Sequence, residues 1–521
     1  MPFAPTSAVL LALLLTGCED VGSVASDTGP IDVDRDGWTI ADGDCDDEDP
    51  TVHPDADDEC GDGVDQDCDG RDPTCRLTGD VDLGDARIVE LTGEFDWGNA
   101  GASVAGAGDV NADGYADILV GAPPPPWEYH IPGTVYVLYG PVTEDRDLAL
   151  ADARLIGQGE WDMVGRSIDG PGDVNGDGFA DILVGASFIV SDESGIAYTV
   201  AYIVYGPVEG DFDLNDADAR LVSESFTGTH FAAVAGAGDV DADGFDDLLA
   251  GASVTGSPVY IVHGPVAGDV DLSCADATLR GAGGVSAALS SAGDVDGDGL
   301  DDILLGNGYA NETAEDSGAV YLVYSPVRGM QDLCDADATF FGEHAGDGAG
   351  FAVSEAGDVD GDGHADLLVG ANGVDAAGSD AGAAYLLYGP VWGDDSISAA
   401  DARLLGEDEG DRAGWSVSGA GDLDDDGFAD ILIGAPGHYL TAEHRGHAYL
   451  LYGPVAASRD LAFADATFVA GRLNDRTGYA VSHAGDVDAD GFGDVLIGAP
   501  DSNAANYVSG AAYLVLSSLV W

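Results

Sequence analysis

Lysine is absent from this 521-residue chain, and its 16 basic residues, all arginine, stand against 98 Asp and Glu for a formal net charge of -82. A field of that sign repels phosphate backbones and anionic headgroups, which excludes nucleic acid as a partner and a polybasic mode of membrane attachment. Catalytic signatures are missing too. No G-x-S-x-G occurs: Gly101-Ala102-Ser103-Val104 continues with Ala105, and Gly414-Trp415-Ser416-Val417 with Ser418. Glu443-His444-Arg445-Gly446-His447 has the wrong order for H-E-x-x-H, and the ten His are scattered, so the chain reads as a non-enzyme. The shortage of positive charge does not mean disorder. Hydrophobic residues make up 45% and aromatics 8%, with mean hydropathy +0.03, enough to bury a core. With 78 Gly and no G-X-Y period, many tight turns and short strands are expected rather than long helices.

The apolar run Ala8 to Leu15 (AVLLALLL) is too short to span a bilayer and suits the core of a signal peptide. Leu15-Thr16-Gly17-Cys18 follows it directly and resembles the lipobox of bacterial lipoproteins. The resemblance implies a signal peptide over 1–17 and a lipidated Cys18 as the first mature residue. Two or more acyl chains there would give stable anchoring. Glu19 is not the Asp that favours inner-membrane retention, so the expected location is the bacterial outer membrane, at the cell surface or its periplasmic face. Residues 18–31, rich in Ser, Gly and Asp without periodicity, read as a flexible tether.

Residues 32–75 form a distinct module, with 18 Asp or Glu between Asp32 and Asp72. Asp32, Asp34, Asp36 with Gly37, and Asp65, Asp67, Asp69 with Gly70, both follow D-x-D-x-D-G. Carboxylates at alternate positions converge on one hard cation where the Gly permits a sharp turn. Cys45, Cys60, Cys68 and Cys75 lie in the same stretch and imply two disulfides with three possible pairings. No C-x-x-C pair supports zinc. The stretch resembles the MopE-type metal-binding motif, whose family is linked to copper. The residues themselves favour Ca2+, because carboxylates are hard ligands and only His53 is an imidazole; the alternative is an acidic, disulfide-stapled spacer.

Residues 80–521 repeat one motif seven times, as in GDVNADGYADILVGA from Gly108 and GDVDGDGHADLLVGA from Gly357, with leading Asp residues 64, 66, 55, 64, 64 and 64 positions apart. An ADAR-type element recurs with its Asp at Asp85, Asp152, Asp218, Asp276, Asp337, Asp401 and Asp465. A Tyr-led apolar element recurs at Tyr136, Tyr202, Tyr260, Tyr321, Tyr385, Tyr449 and Tyr513. In the second copy the strand-like pieces run from Gly165 to Asp169, Ala180 to Gly185, Ala197 to Tyr205 and Arg220 to Ser223. Four short strands per unit of about 60 residues describe a propeller blade. The expected fold is therefore all-β, a seven-bladed β-propeller with metal-binding hairpin loops behind a small disulfide-stapled module. The repeat resembles the FG-GAP repeat of integrin alpha propellers: the GAP half is clear (Gly121-Ala122-Pro123, Gly434-Ala435-Pro436, Gly498-Ala499-Pro500), the FG half degenerate (Gly350-Phe351, Gly478-Tyr479). Because the strand Ala86 to Leu91 precedes the first loop and the last copy stops after Tyr513 to Leu516, the N-terminal strand is expected to complete the final blade.

Each loop sets carboxylates or Asn at positions 1, 3, 5 and 9, with Gly at 6 and a position 7 whose carbonyl can face a metal. These are Asp109, Asn111, Asp113, Tyr115, Asp117; Asp173, Asn175, Asp177, Phe179, Asp181; Asp239, Asp241, Asp243, Phe245, Asp247; Asp294, Asp296, Asp298, Leu300, Asp302; Asp358, Asp360, Asp362, His364, Asp366; Asp422, Asp424, Asp426, Phe428, Asp430; and Asp486, Asp488, Asp490, Phe492, Asp494. The donor set fits Ca2+, about seven ions in the propeller and one or two more in the N-terminal module, in structural rather than catalytic roles. The position 7 side chains are expected to pack between blades. Cys274 and Cys334 are expected to be unpaired, buried or half-buried thiols. Ligand binding is expected on the face opposite the loops, with Trp97, Trp127, Tyr129, Trp161, Phe226, His438 and Tyr439 and the stiff stretch Pro123 to Pro132. The integrin resemblance implies an extracellular protein or glycan ligand and an adhesive role. The alternatives are a noncatalytic envelope or matrix component and a calcium-dependent polysaccharide hydrolase or lyase.

Overall fold

The computed structural model describes residues 33–517, other than 36, 47, 55, 57–65, 67, 69–75, 125–131, 158–161, 191–196, 224–231, 253–257, 282–287, 438–445, 471–473 and 504–507. The chain divides into two units, Met1–Pro73 and Thr74–Trp521. In the first, a 3-10 turn at Ile40–Asp42 ends on Gly43 at φ 111, and the Trp38 and His53 rings stack with centroids 6.4 Å apart. Of the three disulfide pairings open from sequence, the structure forms Cys45–Cys68, with Cα atoms 5.7 Å apart. Cys60 and Cys75 lie outside the described residues, as does Cys18.

The second unit is a seven-bladed propeller. Each of its seven sheets has five strands. In blade 1 they are Ser103–Gly108, Asp117–Ala122, Thr134–Leu138, Ala153–Ile156 and Gly210–Asp213. The first four pair antiparallel and reproduce the sequence reading; the fifth, parallel to Ala153–Ile156, comes from the next repeat. That outer strand escapes a sequence reading because GDFD, and likewise GDVD, GMQD and GDDS in the later blades, is short and polar with no apolar alternation. Charge and shortness are also what keep an exposed sheet edge from pairing with other chains.

The second strand of a blade is covered on both faces by its neighbours, so it is buried along its whole length and reads as a continuous apolar run rather than an alternating one, as in Asp366–Ala371 (DLLVGA). Cores form between blades. One joins Leu119, Val135 and Leu155 of blade 1 to Ile182, Val184 and Tyr202 of blade 2.

Closure uses two N-terminal strands. Val89–Thr92 pairs antiparallel with Ala511–Val515 and completes the seventh blade, where the sequence placed it. The earlier strand Gly79–Asp82, unforeseen, pairs parallel with Ala466–Val469 and supplies the fifth strand of the sixth blade. One point of the sequence reading is corrected. Cys274 and Cys334 are free but exposed, because each follows the buried Leu that opens a 3-10 turn, Leu272 or Leu333, and so points outward.

Leu91 lies in the closing strand with no exposed surface. Leu91→Ala should lower unfolding stability by about 2–5 kcal/mol in chemical denaturation, since it leaves a cavity where the closing strand meets the last strand of the ring. A loss under 1 kcal/mol would mean that closure carries little of the stability.

Candidate functional site

Each metal-type loop joins the first and second strands of its blade, and the backbone orders its carboxylates before any ion is considered. In the fifth loop, Asp358 Oδ1 accepts from Gly361 N–H (2.7 Å) and Asp362 N–H (3.0 Å), and its Oδ2 from Gly363 N–H (2.9 Å). Asp360 Oδ1 accepts from Asp362 N–H at 3.1 Å, and Asp362 Oδ1 from His364 N–H at 3.0 Å. The Oδ2 atoms of Asp360 and Asp362 are left for another partner. Gly363 at position 6 takes φ +92, which a side chain would strain.

Position 9 roots the loop. Asp366, fully buried, accepts from Val359 N–H (2.8 Å) within its loop and from Gly389 N–H (2.9 Å) at the end of the third strand. Its counterparts Asp117, Asp181, Asp247, Asp302, Asp430 and Asp494 do the same in the other blades. Burial raises their carboxyl pKa values against those backbone bonds: to about 6 for Asp117 and Asp247, about 7 for Asp181, Asp302, Asp366 and Asp494, and about 8 for Asp430.

Carboxylate oxygens close to within 4.8 Å of one another in five loops and could hold a metal ion there: Asp239, Asp241 and Asp247; Asp294, Asp296 and Asp302; Asp358, Asp360 and Asp366; Asp422, Asp424 and Asp430; and Asp486, Asp488 and Asp490. In the first two loops an amide stands at position 3. Asn111 donates to Asp113 Oδ2 (2.9 Å), and Asn175 lies 3.4 Å from Asp181. Position 7 packs between blades as expected: Phe245 lies against Gly176 of the preceding loop, and Phe428 against Gly361, where a Cβ would collide with the ring. The N-terminal D-x-D-x-D-G sets are described only at Asp34; Asp32, Asp36, Asp65, Asp67 and Asp69 lie outside the described residues.

The ADAR aspartates prove structural. Asp152, Asp218, Asp276, Asp337, Asp401 and Asp465 each accept, at about 3 Å, the N–H that follows the third strand, from Tyr139, Tyr205, His263, Tyr324, Tyr388 and Tyr452. Asp85 of the first copy holds Arg87 instead.

At the opposite ends of the inner strands, the residues after the "FG" glycine meet in an arc that the sequence reading did not assemble. Phe351 lies 4.9 Å from Trp415 and Trp415 5.4 Å from Tyr479, ring centroid to centroid, all three half-exposed. Arg412 stacks over Trp415 at 5.8 Å and Arg476 over Tyr479 at 5.7 Å. Aligning the residue after each such glycine would have revealed the set. Of the ligand-face residues named from sequence, Trp97 lines a small cavity with Phe95, Pro124, Pro132 and Tyr136, floored by Glu94, which Arg154 grips at 3.1 Å. Trp127, Tyr129, Trp161, Phe226, His438 and Tyr439 lie outside the described residues.

Parts of the chain match known proteins. The FG-GAP repeat matches residues 100–138, 165–200, 287–323, 352–387, 413–451 and 477–515, and the MopE-type metal-binding motif matches 44–72. The third blade, between the second and third of these matches, is built on the same five-strand plan. Integrin alpha pat-2 of Caenorhabditis briggsae is 29% identical over 231 residues, 42% of this chain and 18% of the relative. Integrin alpha-IIb of Homo sapiens is 33% identical over 153 residues, 28% of this chain and 14% of the relative. The chain thus spans less than a fifth of the length of these relatives. A solved structure of Chaetomium thermophilum Raptor covers 85% of this chain and 29% of its own at 10% identity, with a TM-score of 0.44. The chain carries FG-GAP repeats on an integrin-alpha-like propeller, preceded by a MopE-type motif.

The raised position 9 carboxyls set a pH dependence for the metal-free protein. The fold holds these protons more tightly than the unfolded chain, where the pKa is about 3.9. Each carboxyl therefore contributes stability that is complete below that value and is lost as pH rises through about 6 to 8. Chelator-treated protein should melt higher at pH 5 than at pH 8, and Asp430→Asn should narrow the gap; equal melting temperatures would contradict it.

Proposed function

We propose that this propeller is a calcium-loaded binding module held at the bacterial outer membrane by a lipid on Cys18, engaging a protein or glycan outside the cell. The single observation that carries the binding role is the arc of Phe351, Trp415 and Tyr479 with Arg412 and Arg476. Three half-exposed rings in series, Trp415 touching the other two, overlaid by two guanidinium groups, put the side chains that dominate recognition surfaces at one spot on the ring. The arc lies at the ends of the inner strands away from the metal loops, so ligand and ions do not compete for the same groups. The likeness to integrin alpha chains supports an adhesive role.

Calcium is the reading of the loops because every donor is a hard oxygen and the ring needs rigid hairpins. Extracellular calcium modules bind at ~10⁻⁴ to 10⁻³ M, and a tenfold excess over Kd stabilises by about 1.4 kcal/mol per site. Summed over several loops, that is comparable with the stability of a whole domain. The ions hold the scaffold; the chemistry of recognition belongs to the aromatic face.

Two measurements test this. In EDTA the melting temperature should fall by many degrees and recover with added Ca2+; an unchanged transition would rule out structural calcium. On arrays of glycans and surface proteins probed in Ca2+, Trp415→Ala should weaken the captured interaction at least about tenfold while leaving the melting temperature in place. Binding indifferent to Trp415 would move the ligand site elsewhere on the ring.

A further inference from the structure

The sixth loop differs from the others in what faces its carboxylates. The outer strand Gly79–Asp82 of the sixth blade is preceded by Arg76-Leu77-Thr78. By register from the strand-opening glycine, these residues stand where other blades receive Pro207-Val208-Glu209, Pro265-Val266-Ala267 and Pro326-Val327-Arg328. The tyrosine that follows the third strand confirms the equivalence. Tyr139 and Tyr205 hydrogen-bond through their hydroxyls to the Val208 and Val266 carbonyls, while Tyr452 accepts from Leu77 N–H at 2.8 Å. Arginine thus replaces proline at the one crossing that comes from the N-terminal segment.

Its guanidinium lies over the Tyr452 ring, 5.0 Å from the centroid, and reaches into the loop. Nε pairs with Asp424 Oδ2, whose side chain is fully buried, and Nη2 with Asp426 Oδ2 at 2.7 Å. In the fourth and fifth loops the position 3 and 5 Oδ1 atoms are engaged by backbone N–H groups and the Oδ2 atoms are free. In the sixth loop, Asp426 Oδ1 likewise accepts from Phe428 N–H. Arg76 therefore takes the oxygens that would converge on an ion. Proximity of a basic residue is not enough for this: Arg328 approaches the third loop from the equivalent crossing, but touches only Asp241 Oδ2 at 3.5 Å and is 67% exposed, and the other group on that oxygen, His263 Nδ1 at 3.1 Å, is a cation only when protonated.

We propose that the sixth loop is served by Arg76 in place of a metal ion, so that docking of the N-terminal crossing strand and calcium binding at Asp422, Asp424 and Asp430 exclude each other. A guanidinium and a divalent cation on the same Oδ2 atoms would repel each other at contact distance, and the guanidinium is tethered to a strand already paired with Ala466–Val469. The inference rests on the calcium reading of the other loops.

Calcium bound by the full chain at about 1 mM, counted by native mass spectrometry and by equilibrium dialysis, tests it. Arg76→Ala should gain one ion. With Arg76 in place, Asp424→Asn should lose none, whereas Asp360→Asn at the same position of the fifth loop should lose one. Arg76→Ala that gains nothing, or Asp424→Asn that loses an ion, overturns the exclusion while leaving the calcium reading intact. Asp360→Asn that loses none overturns the calcium reading and this inference with it. The Asp424 arm leaves the Arg76 segment unaltered, so it decides the question even where Arg76→Ala loosens the sixth blade.

Discussion

A buried carboxylate sits at the root of every blade. The position 9 aspartate of each loop, at most 1% exposed, receives one N–H from its own hairpin and one from the chain leaving the third strand, at 2.8 to 3.2 Å. Removing water from a carboxylate is costly unless its oxygens are satisfied, and two convergent N–H groups plus neighbouring loop oxygens make the arrangement both demanding and specific. Hairpin, third strand and loop are thereby locked to one point. The burial that raises these pKa values disfavours the bare carboxylate and so favours a positive charge, proton or cation, beside it.

From this root the division of labour in the ring follows. One end of each inner strand carries charge and hairpin geometry, repeated so regularly that it serves the scaffold. The other end carries the residue after the "FG" glycine, which varies: Ala102, Arg166, Phe351, Trp415 and Tyr479. Three consecutive aromatics on consecutive blades produce a local patch on an otherwise regular ring. The outer strands passed from repeat to repeat, and the N-terminal strands that complete the sixth and seventh blades, make the ring a single interlocked object with its first and last strands held in shared sheets.

Much of this was legible in the sequence because its causes are local. The D-x-D-x-D-G loops, the run DLLVGA and the Tyr-led third strand depend on spacing within about 30 residues, and repetition removed the ambiguity of any single copy. Even closure by the strand near Leu91 followed from the order of elements. The fifth strands did not, since GDVD and GDDS have no amphipathic pattern and exist as strands only because a neighbouring blade offers an edge. The exposure of Cys274 and Cys334 depended on the turn opened by a buried leucine two residues earlier in one case and one in the other, a detail below the resolution of periodicity.

The sequence by itself determined the number of blades, the strand pattern and the acidic set of each loop, because those follow from residue type at fixed short spacing. Only the tertiary structure decided which residues meet across the ring. Repeat alignment puts Phe351 and Trp415 at one position of consecutive blades, but their contact comes from the rotation from blade to blade; Arg76 finds Asp424 across 348 positions through the register of a parallel edge strand, which leaves no trace in local spacing.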